Sequence, residues 1–106
     1  MNKEEIKDMV SGRKAVLLYI TNPWCVSCKS LRPKIEQMTS EDFPKIEFQY
    51  IDASVSPETT AELHVFSAPT ILVFFDGREY IRESKFVSVE ELRSKIRRIY
   101  NLMFDE

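Results

Sequence analysis

Two stretches of the chain are apolar at nearly every position, residues 15–20 and residues 70–75. Continuous apolar runs of this length are typical of strands that are covered on both faces. The segments 46–52 and 79–83 are more polar, and the first of them begins by alternating apolar and polar residues, which is typical of a strand with one wetter face. The pattern therefore predicts two central strands and two edge strands.

Apolar residues at helical spacing occupy the segments before and after the first strand. Asn2 and Glu5 form a capping-box pattern ahead of a short helix at about 3–11, which Ser11-Gly12 ends. Asn22-Pro23 breaks the first strand, and a second helix follows it. The apolar stripe of that second helix consists of Cys28, Leu31, Ile35 and Met38.

The second half of the chain carries three further signals. Ser56-Pro57 opens a third helix in the favoured order of cap and proline, and that helix is expected to run through Leu63. Asp76-Gly77 predicts a two-residue hairpin turn. Ser88 and Glu91 form a capping box for the last helix. The resulting order, α-β-α-β-α-β-β-α, predicts a single α/β domain over residues 1–106, with a central sheet sandwiched between two helical layers.

Composition restricts the functional class. The chain has 106 residues, 43% of them hydrophobic and 30% charged, and its formal net charge is −2, so no basic footprint for nucleic acid is expected. No apolar run is long enough to span a bilayer, and the polar N-terminus does not resemble a signal peptide. We therefore expect a cytoplasmic protein that binds neither nucleic acid nor membrane.

The chain has two cysteines, and they lie three residues apart in Trp24-Cys25-Val26-Ser27-Cys28-Lys29. Cys25 is expected to be exposed at the N-terminal edge of the second helix, where unpaired backbone N–H groups and the helix dipole stabilise a thiolate. Cys28 lies on the apolar stripe and is expected to be shielded. This asymmetry predicts a nucleophilic Cys25 and a resolving Cys28 that exchange a dithiol with substrate disulfides.

Over nearly its whole length the sequence resembles the thioredoxin family. The hexapeptide 24–29 matches the active-site motif of that family, and Pro33 lies where the family kinks the helix that carries the motif. Ala68-Pro69-Thr70 matches the loop with a cis proline, and Phe75-Asp76-Gly77 resembles the hairpin that follows it. The resemblance implies a three-layer α/β/α thioredoxin-like sandwich with a mixed four-stranded sheet that lacks the family's first strand.

The resemblance also implies a function. Cys25 and Cys28 would be the catalytic pair of a protein-disulfide oxidoreductase, acting as a reductant without a cofactor. Trp24, Ala68 and Pro69 would bind the substrate, because a cis Pro69 would turn the backbone of Ala68 towards an extended substrate segment. The expected partners are proteins with disulfides and a reductase that recycles the dithiol.

Several positions depart from the family pattern. Val26-Ser27 replaces the usual Gly-Pro, and Tyr19 and Phe48 stand where the family has a buried acid and a lysine. A tyrosine is a poor base at neutral pH, so slower reduction is expected. Without the family's first strand, segment 46–52 becomes an uncovered edge. Such an edge suggests a homodimer as one hypothesis, with Glu47 and Gln49 as partial protection.

Other interpretations remain open. A zinc site would need Cys25, Cys28, His64 and a carboxylate, or a metal shared by the dithiols of two chains. A binding module with vestigial cysteines is also possible, since fold alone does not establish function. Core packing is the expected role of the apolar residues Met38, Phe43, Phe66, Phe74 and Phe75.

Overall fold

The computed structural model describes residues 3–104. Its four helices and four strands follow the predicted order and are, from the N-terminus, α1 (Lys3–Gly12), β1 (Ala15–Thr21), α2 (Val26–Asp42), β2 (Glu47–Asp52), α3 (Pro57–Glu62), β3 (Thr70–Phe75), β4 (Arg78–Ser84) and α4 (Val89–Phe104). The proposed cap at Asn2 lies outside the described residues.

The four strands form one mixed sheet in the order β2-β1-β3-β4. β1 runs parallel to β2 and antiparallel to β3, and β4 pairs antiparallel with β3. Every residue of β1 and β3 is buried, whereas β2 and β4 contain exposed and half-buried positions. The predicted two central and two edge strands are confirmed, and β2 is an edge.

Side chains of the central strands alternate between two cores, one on each face of the sheet. Leu17, Tyr19, Ile71 and Val73 contribute to the core beneath α2 and α4. Their neighbours along the strands contribute to a second core that includes Ile6, Met9 and Val10 of α1. Because successive strand residues point to opposite faces, a strand covered by helices on both sides must be apolar throughout.

The turns follow the predicted chemistry. Asp76 and Gly77 have φ angles of 52° and 79°, the left-handed conformation that a tight hairpin of this kind requires at both central positions. The Ser88 hydroxyl accepts a hydrogen bond from the backbone N–H of Glu91 at 3.3 Å and so caps α4. The C-terminal residues Met103 and Phe104 of that helix pack against the core as half-buried side chains.

Two predictions about the segment after α3 are wrong. The helix ends at Glu62 instead of Leu63. His64 has a φ angle of 57°, and the N–H of Val65 donates a hydrogen bond to the carbonyl of Thr60, so the chain leaves the helix here. Phe66, expected in the core, has 84% of its surface exposed. The turn at His64 separates it from the core, whereas Met38, Phe43, Phe74 and Phe75 are buried as predicted.

Candidate active site

The two cysteines lie at the junction between β1 and α2, at one end of the sheet. Their sulfur atoms are joined in a disulfide, and their Cα atoms are 5.3 Å apart. Cys25 is the N-cap residue of α2, and Cys28 lies in the first turn of that helix. The predicted positions of both residues on the helix are confirmed.

Asn22 holds the turn that presents the cysteines. Its side-chain oxygen accepts a hydrogen bond from the N–H of Trp24 at 2.9 Å, and its carbonyl accepts one from the N–H of Cys25 at 3.2 Å. An Asx turn of this kind ends a strand and lets the backbone change direction within a few residues. As the N-cap residue, Cys25 lies next to the first N–H groups of α2, which have no carbonyl partner within the helix.

The two sulfurs are in unequal surroundings. Cys28 is 2% exposed and belongs to the core beneath α2 and α4, as predicted. Cys25 is half-buried and packs against the same core, so it is more accessible than Cys28 but less exposed than predicted. The Ser27 hydroxyl lies 3.6 Å from the sulfur of Cys25, within hydrogen-bonding reach of a sulfur atom. Attack from outside is therefore easier at Cys25 than at Cys28.

The segment before β3 lies against the same core. The Ala68–Pro69 peptide bond is cis, as the family resemblance implied, and Pro69 is buried. Ala68 and Cys25 both pack against the core cluster that contains Cys28. The Pro69 carbonyl accepts a hydrogen bond from the N–H of Lys85 at 2.9 Å, which ties this loop to the end of β4.

Large apolar side chains are exposed on the loops at this end of the sheet and at the start of α2. Trp24 and Val26 on either side of Cys25 are 78% and 81% exposed, and Phe66 and Phe86 on the other two loops are 84% and 97% exposed. Trp24 is therefore not a core aromatic. These exposed side chains, two of them adjacent to Cys25 in the chain, are available to contact another protein.

The side chain of Tyr19 is buried in the core next to Cys28. Its side chain is 0% exposed, and its hydroxyl donates a hydrogen bond to the Cys28 carbonyl at 2.7 Å. The ring stacks on Phe48 and Tyr50 at centroid distances of 6.1 and 6.4 Å. Burial is the main cause that raises the pKa of Tyr19 to about 12, and the Tyr50 hydroxyl adds to it. Tyr19 is therefore neutral at physiological pH and does not serve as a base.

This raised pKa predicts a pH-dependent contribution to stability. The protonated Tyr19 contributes fully to stability below pH ~10, the pKa of tyrosine in the unfolded chain. This contribution is lost as the pH rises towards the folded-state pKa of about 12. Relative to Tyr19→Phe, the wild type should lose about 2 kcal/mol of unfolding free energy over that window. Urea denaturation of both proteins across the alkaline range measures this difference, and a difference that does not change with pH would contradict the burial of a neutral phenol.

Two cations lie in or next to the motif, Lys29 and Arg32. Arg32 pairs with Glu36 and lies over the ring of Tyr50, 3.9 Å from its centroid. Lys29 is exposed on the surface of α2. Stabilisation of a Cys25 thiolate would therefore come chiefly from the N–H groups of α2 and the Ser27 hydroxyl.

The zinc interpretation finds no site in the part of the chain that the structure describes. Among residues 3–104, no group of three or more His, Cys, Asp or Glu side chains is placed to hold a metal ion. His64 is exposed after the end of α3, and its carbonyl accepts a hydrogen bond from Arg82 at 3.0 Å.

No helix among the described residues is long and apolar enough to cross a membrane.

The sequence-based interpretation missed several residues at this site. Ser27 was treated only as a departure from the family pattern, and Phe66 was assigned to the core. Lys85 and Phe86 were not considered, although they form the third loop beside the disulfide. An isolated aromatic next to a turn was the available signal for both phenylalanines, but only the folded loops show that both are exposed.

Known proteins resemble both the sequence and the fold. The family model described as Thioredoxin matches residues 1–98. Thioredoxin-like protein YdfQ from Bacillus subtilis is 33% identical over 97 residues, covering 92% of this chain and 86% of YdfQ. Thioredoxin from Mycobacterium bovis is 32% identical over 71 residues, which is 67% of this chain and 61% of that protein.

A solved structure of Plasmodium falciparum thioredoxin superposes with a TM-score of 0.81 at 22% identity, covering 92% of this chain and 93% of that one. The likeness at this identity concerns the fold alone. The match of the family model over most of the chain, the relatives and the paired Cys25 and Cys28 all agree. The chain belongs to the thioredoxin family, and its cysteine pair supports thiol–disulfide exchange as the chemistry of the site.

Proposed function

We propose that the protein reduces disulfide bonds in other proteins through the Cys25–Cys28 pair. The observation that carries this proposal is the asymmetry of the pair: a half-buried Cys25 at the N-cap of α2, joined to a Cys28 that is 2% exposed. A disulfide with a purely structural role does not need one sulfur to be accessible to another molecule at a helix N-terminus. A pair that must accept and then release a substrate requires this arrangement.

The reaction proceeds by two exchanges. The Cys25 thiolate attacks one sulfur of a substrate disulfide, forming a mixed disulfide and releasing the other substrate sulfur as a thiolate. Cys28 then loses its proton and attacks the sulfur of Cys25, which releases the second substrate sulfur. The substrate gains two electrons and two protons, and the protein is left with the Cys25–Cys28 disulfide. A reductase that supplies a dithiol must then restore the reduced pair.

Substrate positioning is assigned to Trp24, Ala68 and Pro69. Ala68 precedes the cis bond and is only half-buried, so its backbone is available to an extended segment beside Cys25. Trp24 offers a large exposed apolar surface next to the nucleophile. A reducing setting such as the cytoplasm suits this activity, because there the dithiol form can be maintained.

The rate is expected to be limited by proton removal from Cys28. The neutral Tyr19 occupies the space behind this residue, and its hydroxyl already donates to the Cys28 carbonyl. The proton must therefore pass to water or to a departing thiolate. We expect resolution of the mixed disulfide to be slower than in a thioredoxin that has a buried carboxylate at this position.

The test is reduction of the interchain disulfides of insulin with dithiothreitol as the electron source, measured with and without the protein. The proposal requires a rate clearly above that of dithiothreitol alone. A glutathione redox titration of the Cys25–Cys28 pair then gives its reduction potential, which separates a reductant from an oxidant. A rate equal to the background would instead favour the binding-module interpretation.

The edge strand β2 supports a second, independent proposal, a homodimer. Among the described residues, β2 pairs with β1 on one side and with no strand on the other. The side chain of Glu47 is turned to Arg13 and Gln49, which leaves its charge partly neutralised along this edge. Light scattering over a range of concentrations is expected to show a concentration-dependent dimer, and a strictly monomeric mass would contradict it.

A further inference from the structure

A groove runs beside the disulfide between α2 and the loop that precedes α4. Its volume is about 480 Å³, and it is open to solvent. Its lining residues come from α2, from the cis-proline segment and from the loop between β4 and α4, and they are Ser27, Ser30, Leu31, Lys34, Pro69, Lys85, Phe86, Val87 and Ser88.

The groove is continuous with the proposed site. Ser27 lines it, and the hydroxyl of Ser27 is 3.6 Å from the sulfur of Cys25. Pro69 lines it as well and is held to Lys85 by a backbone hydrogen bond of 2.9 Å. A substrate segment bound beside Cys25 and Ala68 would therefore extend into this groove within a few residues of its own cysteine.

The charges in the groove have one sign. Lys34 and Lys85 line it, and no lining residue is acidic. Three carboxylates on the neighbouring elements pair with their own cations, Glu36 with Arg32, Glu83 with Lys95 and Glu90 with Arg93. The two lysines are both exposed and free to meet charge from another molecule. This local excess of positive charge contrasts with the net charge of −2 on the chain.

The apolar part of the groove fits a peptide. Leu31 and Val87 are half-buried in its lining, and Phe86 is 97% exposed beside them. An exposed phenylalanine flanked by a lysine can cover the apolar stem of a bound segment while the ammonium group meets a carboxylate. The combination of an apolar floor and two cations favours an acidic, extended polypeptide as occupant.

We propose that this groove selects substrate proteins that carry acidic residues next to the cysteine that Cys25 attacks. The proposal rests on the proposed function, because it concerns the choice of substrate for the same exchange reaction. Lys34 and Lys85 are assigned as specificity-determining residues, since they contact the flanking segment and not the reacting sulfurs. Opposite charge at such a surface raises the association rate and discriminates against the wrong partner.

The test uses three synthetic peptides of the same length, each a disulfide-linked dimer through one central cysteine. The flanking residues are glutamate in the first, lysine in the second and serine in the third. The reduced protein is mixed with each peptide, and the initial rate is divided by the rate of the same peptide with dithiothreitol, which corrects for the intrinsic reactivity of its sulfurs. We expect a preference of about 10-fold for the glutamate peptide over the lysine peptide at low ionic strength.

The variant Lys34→Glu with Lys85→Glu should remove or invert this preference. The matched control is Lys7→Glu with Arg78→Glu, which changes the net charge by the same amount on exposed residues of α1 and β4 that do not line the groove. The control should keep the wild-type preference. Added salt should weaken that preference, since exposed charges are screened beyond about 10 Å at moderate ionic strength.

The outcomes separate the two proposals. A serine peptide that the protein reduces no faster than the background overturns the proposed function itself. If the serine peptide is reduced but the glutamate and lysine peptides show equal corrected rates, the exchange activity stands and the charged groove is overturned. A preference that the control variant loses to the same extent as the groove variant also overturns it, because the effect would then follow net charge alone.

Discussion

Changing Cys25 to Ser is expected to abolish the catalysed part of disulfide reduction, so that the measured rate falls to that of dithiothreitol alone. A serine hydroxyl is not ionised at neutral pH and cannot form the mixed disulfide. The remaining thiol of Cys28 cannot replace it, because Cys28 is only 2% exposed. The measurement is the insulin assay with dithiothreitol, together with denaturant unfolding to confirm that the variant is folded.

The matched control is the same substitution three residues later, Cys28→Ser. This variant keeps the Cys25 nucleophile but lacks the resolving thiol, so substrate should remain bound to the protein as a mixed disulfide. Mass spectrometry without reductant should therefore show the adduct for Cys28→Ser and not for Cys25→Ser. Equal amounts of adduct on both variants would contradict the division of roles between the two sulfurs.

Changing Leu92 to Ala is expected to lower the free energy of unfolding by about 3 kcal/mol or more. Leu92 is 0% exposed and belongs to the core shared by α4, the sheet and Cys28. The substitution removes buried apolar surface and leaves a cavity that the tightly packed neighbours fill only in part. A loss of this size is a large fraction of the stability of a typical domain, so a strongly lowered denaturation midpoint should be evident.

Leu102→Ala provides the control on the same helix. Leu102 is 80% exposed, so the identical substitution removes little buried surface and should change the unfolding free energy by less than about 0.5 kcal/mol. Because both changes replace leucine with alanine within α4, differences in helix propensity cancel. Comparable losses at the two positions would mean that α4 is not seated on the sheet through Leu92.

The site differs from the family pattern in how its interior is filled. Tyr19, Phe48 and Tyr50 form an aromatic stack, and Tyr19 and Phe48 stand at the positions where the family pattern has a buried acid and a lysine. The stack excludes charge from the space behind Cys28, and Tyr19 contributes only a hydrogen bond to the helix backbone. In the proposed mechanism this change leaves nucleophilic attack by Cys25 unaffected, and resolution by Cys28 is the step without a buried proton acceptor.

Local pattern was sufficient for most of the fold. The apolar runs of β1 and β3 predict central strands because a strand buried on both faces cannot carry polar side chains. Asp76-Gly77 predicts its turn because both residues tolerate positive φ. The order of the elements then leaves few arrangements, since the two edge strands must lie outside the central pair. The positions of Cys25 and Cys28 on α2 follow from the same helical spacing.

The sequence by itself determined the elements, the family and the unequal placement of the two cysteines, since each depends on residues close together in the chain or on a motif. Only the tertiary structure decided what surrounds that pair. The half-burial of Cys25, the exposure of Phe66 and the approach of Lys85 to Pro69 depend on loops that are far apart in sequence and meet at one end of the sheet. Contacts of this kind depend on how the layers pack, and no periodicity within a single segment encodes them.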